Sequence, residues 1–181
     1  ETLMVLYFLK KYSNNKDFVN LYLKHLFDSF FASTTRQIIF SNFEYEANKL
    51  VNSGKPFVPQ VLKELYLQMI AKYEGWSIEK INKYRKEPYS YSLSTILRIP
   101  HFYAGNFYVY KYAIGQICGL IMANKIYQGD KKAVNNFIKF LSSGSSLSPL
   151  KTIKLLDIDL TKQEPYQETK KILSNLLKKF K

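Results

Sequence analysis

Only 7 glycines and 6 prolines interrupt 181 residues, and between them run long stretches whose apolar side chains recur every three or four positions. That spacing gathers the apolar groups on one face of a helix, which turns about every 3.6 residues, whereas a half-buried strand alternates every two. A many-turned β-sandwich needs far more turn residues than this chain carries. The sequence therefore predicts an all-α, multi-helix fold, with no convincing strand and no internal repeat.

The helices can be placed by their stops. Residues 2–12 are apolar and close on Lys10 and Lys11, where cations suit the helix dipole, and Ser13-Asn14-Asn15 breaks the run. Asp17 opens a second helix with Phe18, Leu21, Tyr22 and Leu26 on its buried face. Residues 33–51 repeat the pattern through Phe40, Phe43, Ala47, Leu50 and Val51, ending at Ser53-Gly54-Lys55-Pro56. Val58, Val61, Leu62, Leu65 and Met69 form the next stripe, with Lys63, Glu64, Gln68 and Lys72 outside and Gly75 as the stop.

Residues 76–105 have poor periodicity, with Pro88, Pro100, Gly105, Tyr84, Tyr89, Tyr91 and Tyr103 among them, and read as an ordered aromatic loop interrupted by short helix. A segment of this length inside a compact domain is more often functional than idle. A long, almost wholly apolar helix is predicted over 106–128, buried on most sides and stopped by Gly129. Asp130 caps a helix through Leu141, Ser142–Ser146 is a turn, and Pro149 suits the first turn of a helix to Leu156. Ile172, Leu173, Leu176 and Leu177 mark an amphipathic C-terminal helix after Pro165.

Apolar residues at 46% and charged residues at 23% describe an ordinary globular core, so residues 1–181 read as a single helical unit. The net charge of +13 invites a nucleic-acid reading. Against it, the lysines are mostly single and spread over every polar face, with pairs only at Lys10-Lys11, Lys131-Lys132, Lys170-Lys171 and Lys178-Lys179. Arginine, the usual reader of phosphates and base edges, occurs only as Arg36, Arg85 and Arg98. The excess charge thus reads as solvated surface. One cysteine, Cys118, permits no internal disulfide and no cysteine-based zinc finger, which suits a reducing, cytoplasmic setting. No apolar run of about 18 residues and no signal-peptide pattern is present, so no membrane span is predicted.

The chemically useful groups are concentrated in Ile99-Pro100-His101-Phe102-Tyr103 and the following Phe107-Tyr108-Val109-Tyr110-Lys111-Tyr112. A histidine in a loop bounded by proline and glycine leads into a segment with three tyrosines. On a helix, Tyr108 and Tyr112 share a face, while Tyr110 points about 200° from Tyr108. Imidazole N–H and phenol O–H groups converging on one point can bind a carbonyl oxygen or a tetrahedral oxyanion. The plainer reading is a tyrosine-rich core helix and a capping histidine, and residues alone leave both open. His25 and His101 are the only histidines, so an H-E-x-x-H pair is impossible here. His25, flanked by Leu23, Leu26 and Phe27, reads as a satisfied core or boundary histidine. Cys118, within the apolar helix, reads as an inert thiol.

Four stretches in order resemble the C-terminal part of the oligoendopeptidase F family, thimet-oligopeptidase-like zinc metallopeptidases. They are Thr35-Arg-Gln-Ile-Ile-Phe-Ser-Asn-Phe-Glu44, Ile99–Tyr103, Phe107–Ala113, and Ser142–Ser146 with Pro149 and Leu156–Leu160. The resemblance implies a zinc-dependent metalloendopeptidase that hydrolyses short peptides in a deep helical channel. It also implies that the H-E-x-x-H motif and its following glutamate precede this chain, whose Glu1 resembles a second glutamate seven residues beyond the metal-binding one. On that basis the chain is a C-terminal fragment of a larger catalytic domain, without the zinc-motif half. Zinc belongs to the full-length enzyme and none is expected on this fragment, which is expected to be inactive alone.

The family's transition-state donors come from this region, a role carried here to His101 and Tyr108 first and Tyr112 next, with Tyr103 and Tyr110 in reserve. The expected partners are short peptide substrates and the missing N-terminal part of the same protein, with no nucleic acid and no membrane. Self-association through exposed apolar faces is expected chiefly at Leu3, Met4, Leu6, Tyr7 and Phe8. The rival readings are a basic helical nucleic-acid-binding module and a non-catalytic helical scaffold.

Overall fold

A computed structural model describes residues 1–86, 91–105 and 107–180, with the backbone alone for 91–93. Pro88, Tyr89 and Asn106, and the side chain of Tyr91, which figured in the expectations above, lie outside what is described. Among the described residues every regular element is a helix. In chain order they are α1 (Thr2–Lys11), α2 (Lys16–Ser33), α3 (Thr35–Asn52), α4 (Pro59–Glu74), α5 (Ile78–Lys86), α6 (Tyr91–Arg98), α7 (His101–Ala104), α8 (Tyr110–Tyr127), α9 (Lys131–Ser142), α10 (Pro149–Lys154) and α11 (Glu164–Leu177).

The chain divides into two compact units, one of residues Glu1–Phe31 with Ile114–Lys181, the other of Ala32–Ala113. In the first, the core is built from α1, α2, the later part of α8, and the C-terminal helices, with Leu23, Leu120 and Ile121 essentially free of solvent contact. Asn15 caps α2 by accepting from the Phe18 N–H, and Asp130 caps α9 by accepting from the Ala133 N–H at 3.0 Å. Proline stands in the first turn of both α10 and α11, where no N–H is needed.

Two buried faces are rotated from the expected ones. On α2 the deep positions are Val19, Leu23 and Leu26, whereas Leu21 is exposed. Phe18 and Tyr22 instead stack on each other at the flank, with Tyr12 against Phe18. On α1, Leu6 is packed inside while Leu3, Met4 and Tyr7 stay open and Phe8 is half-buried, so only part of the expected apolar face is available. His25 is not a core residue: its side chain is exposed and its Nε2 lies 3.1 Å from Glu1 Oε1.

From Cys118 to Ala123 α8 is closely packed, but Gly115 and Gly119 lie on a face where an added Cβ would meet nothing within 4 Å. Burial pushes the Cys118 thiol up to about 11, which leaves little thiolate near neutral pH. A thiol reagent at about pH 8 is expected to spare Cys118 in the folded chain and to modify it once urea unfolds the chain. Rapid modification of the folded chain would contradict its burial.

The second unit packs α3 against α4 around an aromatic core of Phe40, Phe43 and Tyr66, with Ile39, Ile70 and Val109 beside them. On α4 the deepest side chains are Tyr66, Leu67 and Ile70, and Val58 is exposed, again one step round from the expected stripe. Lys63, expected outside, is buried and donates from Nζ to the Arg85 carbonyl oxygen at 2.9 Å. This bond, the Arg85–Glu64 ion pair, and Lys80 lying 3.8 Å over the Trp76 ring hold α5 in place.

The region read as mostly loop therefore contains three helices, α5, α6 and α7. Its periodicity is weak because each helix is short and contributes few core residues, Ile96 and Thr95 of α6 being the buried ones among the described residues.

Candidate functional site

α7 is a single turn set between Pro100 and Gly105, and it carries His101. The Pro100 carbonyl oxygen accepts from both the Tyr103 and Ala104 N–H groups at 3.0 Å, so the proline starts the turn without needing a donor of its own. Phe102 anchors the turn from below, packing edge-on to Phe40 at 5.6 Å and against Phe43 at 5.3 Å. His101 is thereby turned away from the aromatic core, on a helical turn rather than a loop.

Tyr108 does not lie on the long helix as the spacing suggested. α8 begins at Tyr110, and ahead of it the Tyr108 N–H donates to the Gly105 carbonyl at 3.1 Å. Phe107 has a φ of 53°, a left-handed conformation that disfavours a bulky side chain. Its N–H donates to Glu44 Oε1 at 2.8 Å. Glu44 is buried on α3 and its Oε2 has no hydrogen-bond partner among the described residues. One charge-assisted bond thus holds the strained residue that immediately precedes Tyr108.

Glu44 stood inside the motif already quoted, but as a site residue it was missed. The available signal was a lone carboxylate on a helix face otherwise made of Phe40, Phe43 and Ala47. Glu44→Ala is expected to lower the stability of the chain by about 0.5–1.5 kcal/mol, the net worth of a typical hydrogen bond, here a part-buried one. Urea unfolding of the chain measures it, and an unchanged midpoint would mean that the bond holds nothing.

His101, Tyr108 and Tyr112 come together. The His101 and Tyr108 rings are parallel to within 9° with centroids 5.4 Å apart, and Tyr112 stands edge-on to both. The polar contact falls to Tyr112, whose hydroxyl lies 3.1 Å from His101 Nε2. If Nε2 carries the proton it donates to the phenol oxygen, and the phenol O–H is left free to donate outward. With the other tautomer the phenol O–H is consumed by the ring. Only the first arrangement leaves a polarised outward donor. Partial loss of water, and then the neighbouring Tyr108, push the Tyr112 phenol above its ordinary value, which keeps it protonated and a donor.

The two reserve tyrosines do not join this group. Tyr103 is largely exposed, its hydroxyl 3.5 Å from the Ile96 carbonyl oxygen, and it lines a separate apolar cavity of about 400 Å³ with Phe43, Glu44 and Phe102. Tyr110 sits two positions before Tyr112 on α8 and so faces about 200° away.

His101 and Tyr112 line an open cleft of about 280 Å³ with Arg36, Gln37, Thr95 and Arg98. The chemistry of this donor set is that of an anion receptor: it offers N–H and O–H groups and no carboxylate. It does not suit a zinc ion. Among the described residues no three His, Cys, Asp or Glu side chains gather as metal ligands, and His25 has only Glu1 beside it. No metal-dependent step can be derived from these residues.

Residues 2–172 match Peptidase family M3. The chain belongs to that family. It is 48% identical to the oligoendopeptidase F homolog of Mycoplasma genitalium over 98% of its own length and 30% of that protein's. Against the oligoendopeptidase F homolog of Mycoplasma pneumoniae it is 47% identical over 82% of this chain and 24% of the relative. Its fold matches the crystal structure of oligoendopeptidase-F from Enterococcus faecium with a TM-score of 0.78 at 25% identity, covering 97% of this chain and 32% of that one. This M3 chain therefore spans about 30% of the length of the first of these curated relatives, and the all-α reading holds among its described residues. No helix of the described residues is long and apolar enough to cross a membrane.

Proposed function

We propose that the chain is the C-terminal part of the catalytic domain of a cytoplasmic, zinc-dependent metalloendopeptidase of oligoendopeptidase F type that hydrolyses short peptides. Its second unit supplies the substrate-binding and oxyanion-stabilising side of the active-site cleft. The observation that carries this reading is the convergence of His101, Tyr112 and Tyr108, with the His101–Tyr112 contact at 3.1 Å, in a chain of family M3. Zinc, which the family implies, supplies carbonyl polarisation and an activated water when bound, and its ligands belong to the remainder of the domain.

The residues present do the complementary work. As the scissile carbonyl becomes tetrahedral, negative charge grows on its oxygen, and a fixed donor aimed there strengthens as the charge forms. Tyr112 O–H is that donor, with His101 Nε2–H polarising it from behind. The stacked Tyr108 ring keeps the imidazole in plane. Family membership disfavours a nucleic-acid-binding role, and the donor cluster disfavours a bare scaffold.

The test is to unite this chain with the part of the Mycoplasma genitalium relative that lies outside the match. The joined protein is expected to cleave a quenched short peptide and to lose that activity to a chelator. His101→Ala in it should lower turnover while zinc content stays unchanged, and the 181-residue chain alone should neither cleave nor hold stoichiometric zinc. Chelator-sensitive cleavage by the chain alone, or loss of zinc on His101→Ala, would overturn the assignment.

A further inference from the structure

The cleft beside His101 is lined by two of the chain's three arginines, Arg36 and Arg98. They are placed by different elements, Arg36 by the first turn of α3 and Arg98 by the last turn of α6. Their situation differs from that of Arg85, which is spent on Glu64. Among the described residues neither Arg36 nor Arg98 has a carboxylate partner, and no Asp or Glu lines the cleft.

A third feature of the same cleft is Thr95. It is only 3% exposed, it lines the cleft, and its Oγ1 has no hydrogen-bond partner among the described residues. A buried hydroxyl without a partner in the chain can both donate to and accept from a polar ligand group. Gln37, also in the lining, has its amide nitrogen committed to the Ala32 carbonyl oxygen at 3.2 Å.

We propose that this cleft is a carboxylate-binding subsite, in which Arg36 and Arg98 receive a carboxylate of the bound peptide while His101 and Tyr112 attend to a neighbouring carbonyl. The proposal rests on the reading of His101 and Tyr112 as the substrate side of the cleft. The guanidinium fork matches the two oxygens of a carboxylate, so a planar anion is recognised by shape as well as charge. The ligand group is either the free C-terminus of a short peptide or an acidic side chain within it. The first source would let the enzyme measure distance from a peptide's end, and the second would set a sequence preference.

The experiment uses the 181-residue chain and three hexa-alanine probes labelled at the N-terminus with the uncharged 2-aminobenzoyl fluorophore: one with a free C-terminus, one amidated, and one amidated with a single internal glutamate. The free acid or the glutamate probe is expected to bind about tenfold more tightly than the plain amide, with an affinity that falls as salt rises. Whichever of the two wins identifies the source. Arg36→Gln and Arg98→Gln should each abolish the preference, and since neither side chain supports a neighbour the fold should persist. Arg98→Lys, which keeps the charge and loses the fork, should restore it only in part.

Equal binding of all three probes, no measurable binding of any, or a preference that survives both glutamine variants would overturn the proposal. Its failure is separable from that of the catalytic reading. A joined enzyme that still depends on His101 for turnover, paired with a chain indifferent to carboxylates, would sink this subsite alone.

Discussion

Tyr112→Phe in the joined enzyme is expected to lower turnover by about 10²–10³ while leaving the Michaelis constant nearly unchanged. The substitution removes one hydroxyl and almost no volume, so ring packing against His101 and Tyr108 persists. What disappears is the hydroxyl that lies 3.1 Å from His101 Nε2. A donor used only when the carbonyl oxygen becomes negative acts on the transition state, which is why turnover should fall and ground-state binding should not. Tyr108→Phe makes the control. Tyr108 meets His101 through its ring face and touches Tyr112 only as a neighbour, so losing its hydroxyl should lower turnover less than Tyr112→Phe does. Steady-state kinetics with zinc stoichiometry on both variants decide the matter. If Tyr112→Phe turns over like the parent, or if Tyr108→Phe proves the more damaging, the donor has been placed on the wrong ring.

The largest stability effect is expected from Phe43→Ala, at about 3–5 kcal/mol in urea unfolding of the chain. Phe43 is buried, and it meets Tyr66 edge-on at 5.5 Å and Phe102 at 5.3 Å. Truncation removes the ring's transfer free energy and leaves a void that the surrounding aromatics cannot close without leaving their own rotamers. Because Phe102 is the anchor of the turn that carries His101, the same variant should also broaden the His101 ring resonances. A midpoint within error of the parent would show that the aromatic core is looser than its contacts imply.

The helices were legible because their ends are written in local chemistry. Asp130, Gly75 and Pro149 do their capping, stopping and starting jobs with neighbours a few residues away, and a sequence displays such neighbours. Which side of each helix faces inward was less legible. Leu21 and Val58 are apolar yet exposed, while Lys63 is charged yet buried, because an Arg85 carbonyl far along the chain waits for its ammonium group. Apolar spacing gives the width of a face but leaves its centre uncertain by one step when both flanks carry aromatics. α5, α6 and α7 were hidden for a related reason: short helices held by one ion pair, one cation–π contact and a proline show little period.

At the site, the choice of His101, Tyr108 and Tyr112 came from the clustering of donors and the family resemblance, and the three do converge. The assumption that failed was an unbroken helix from Asn106. It failed at Phe107, whose left-handed backbone depends on Glu44, a partner 63 positions earlier in the chain. No local rule can announce such a bond. The arginines of the cleft were visible only as a small number among many lysines, and their convergence is a matter of tertiary placement.

The open glycines of α8 have a dynamic consequence. Glycine at a helix interior position is about 1 kcal/mol worse than alanine, and at Gly115 and Gly119 no neighbouring atom of the chain forbids a methyl group. The stretch just past Tyr112 is therefore thinner in side-chain cover and freer in backbone than the packed run from Leu120 to Ala123 that follows. In hydrogen-exchange terms, amides around residues 115–117 should open before those of the packed run. The helix that carries Tyr112 thus has a locally weaker turn at its open glycines than along its buried stretch.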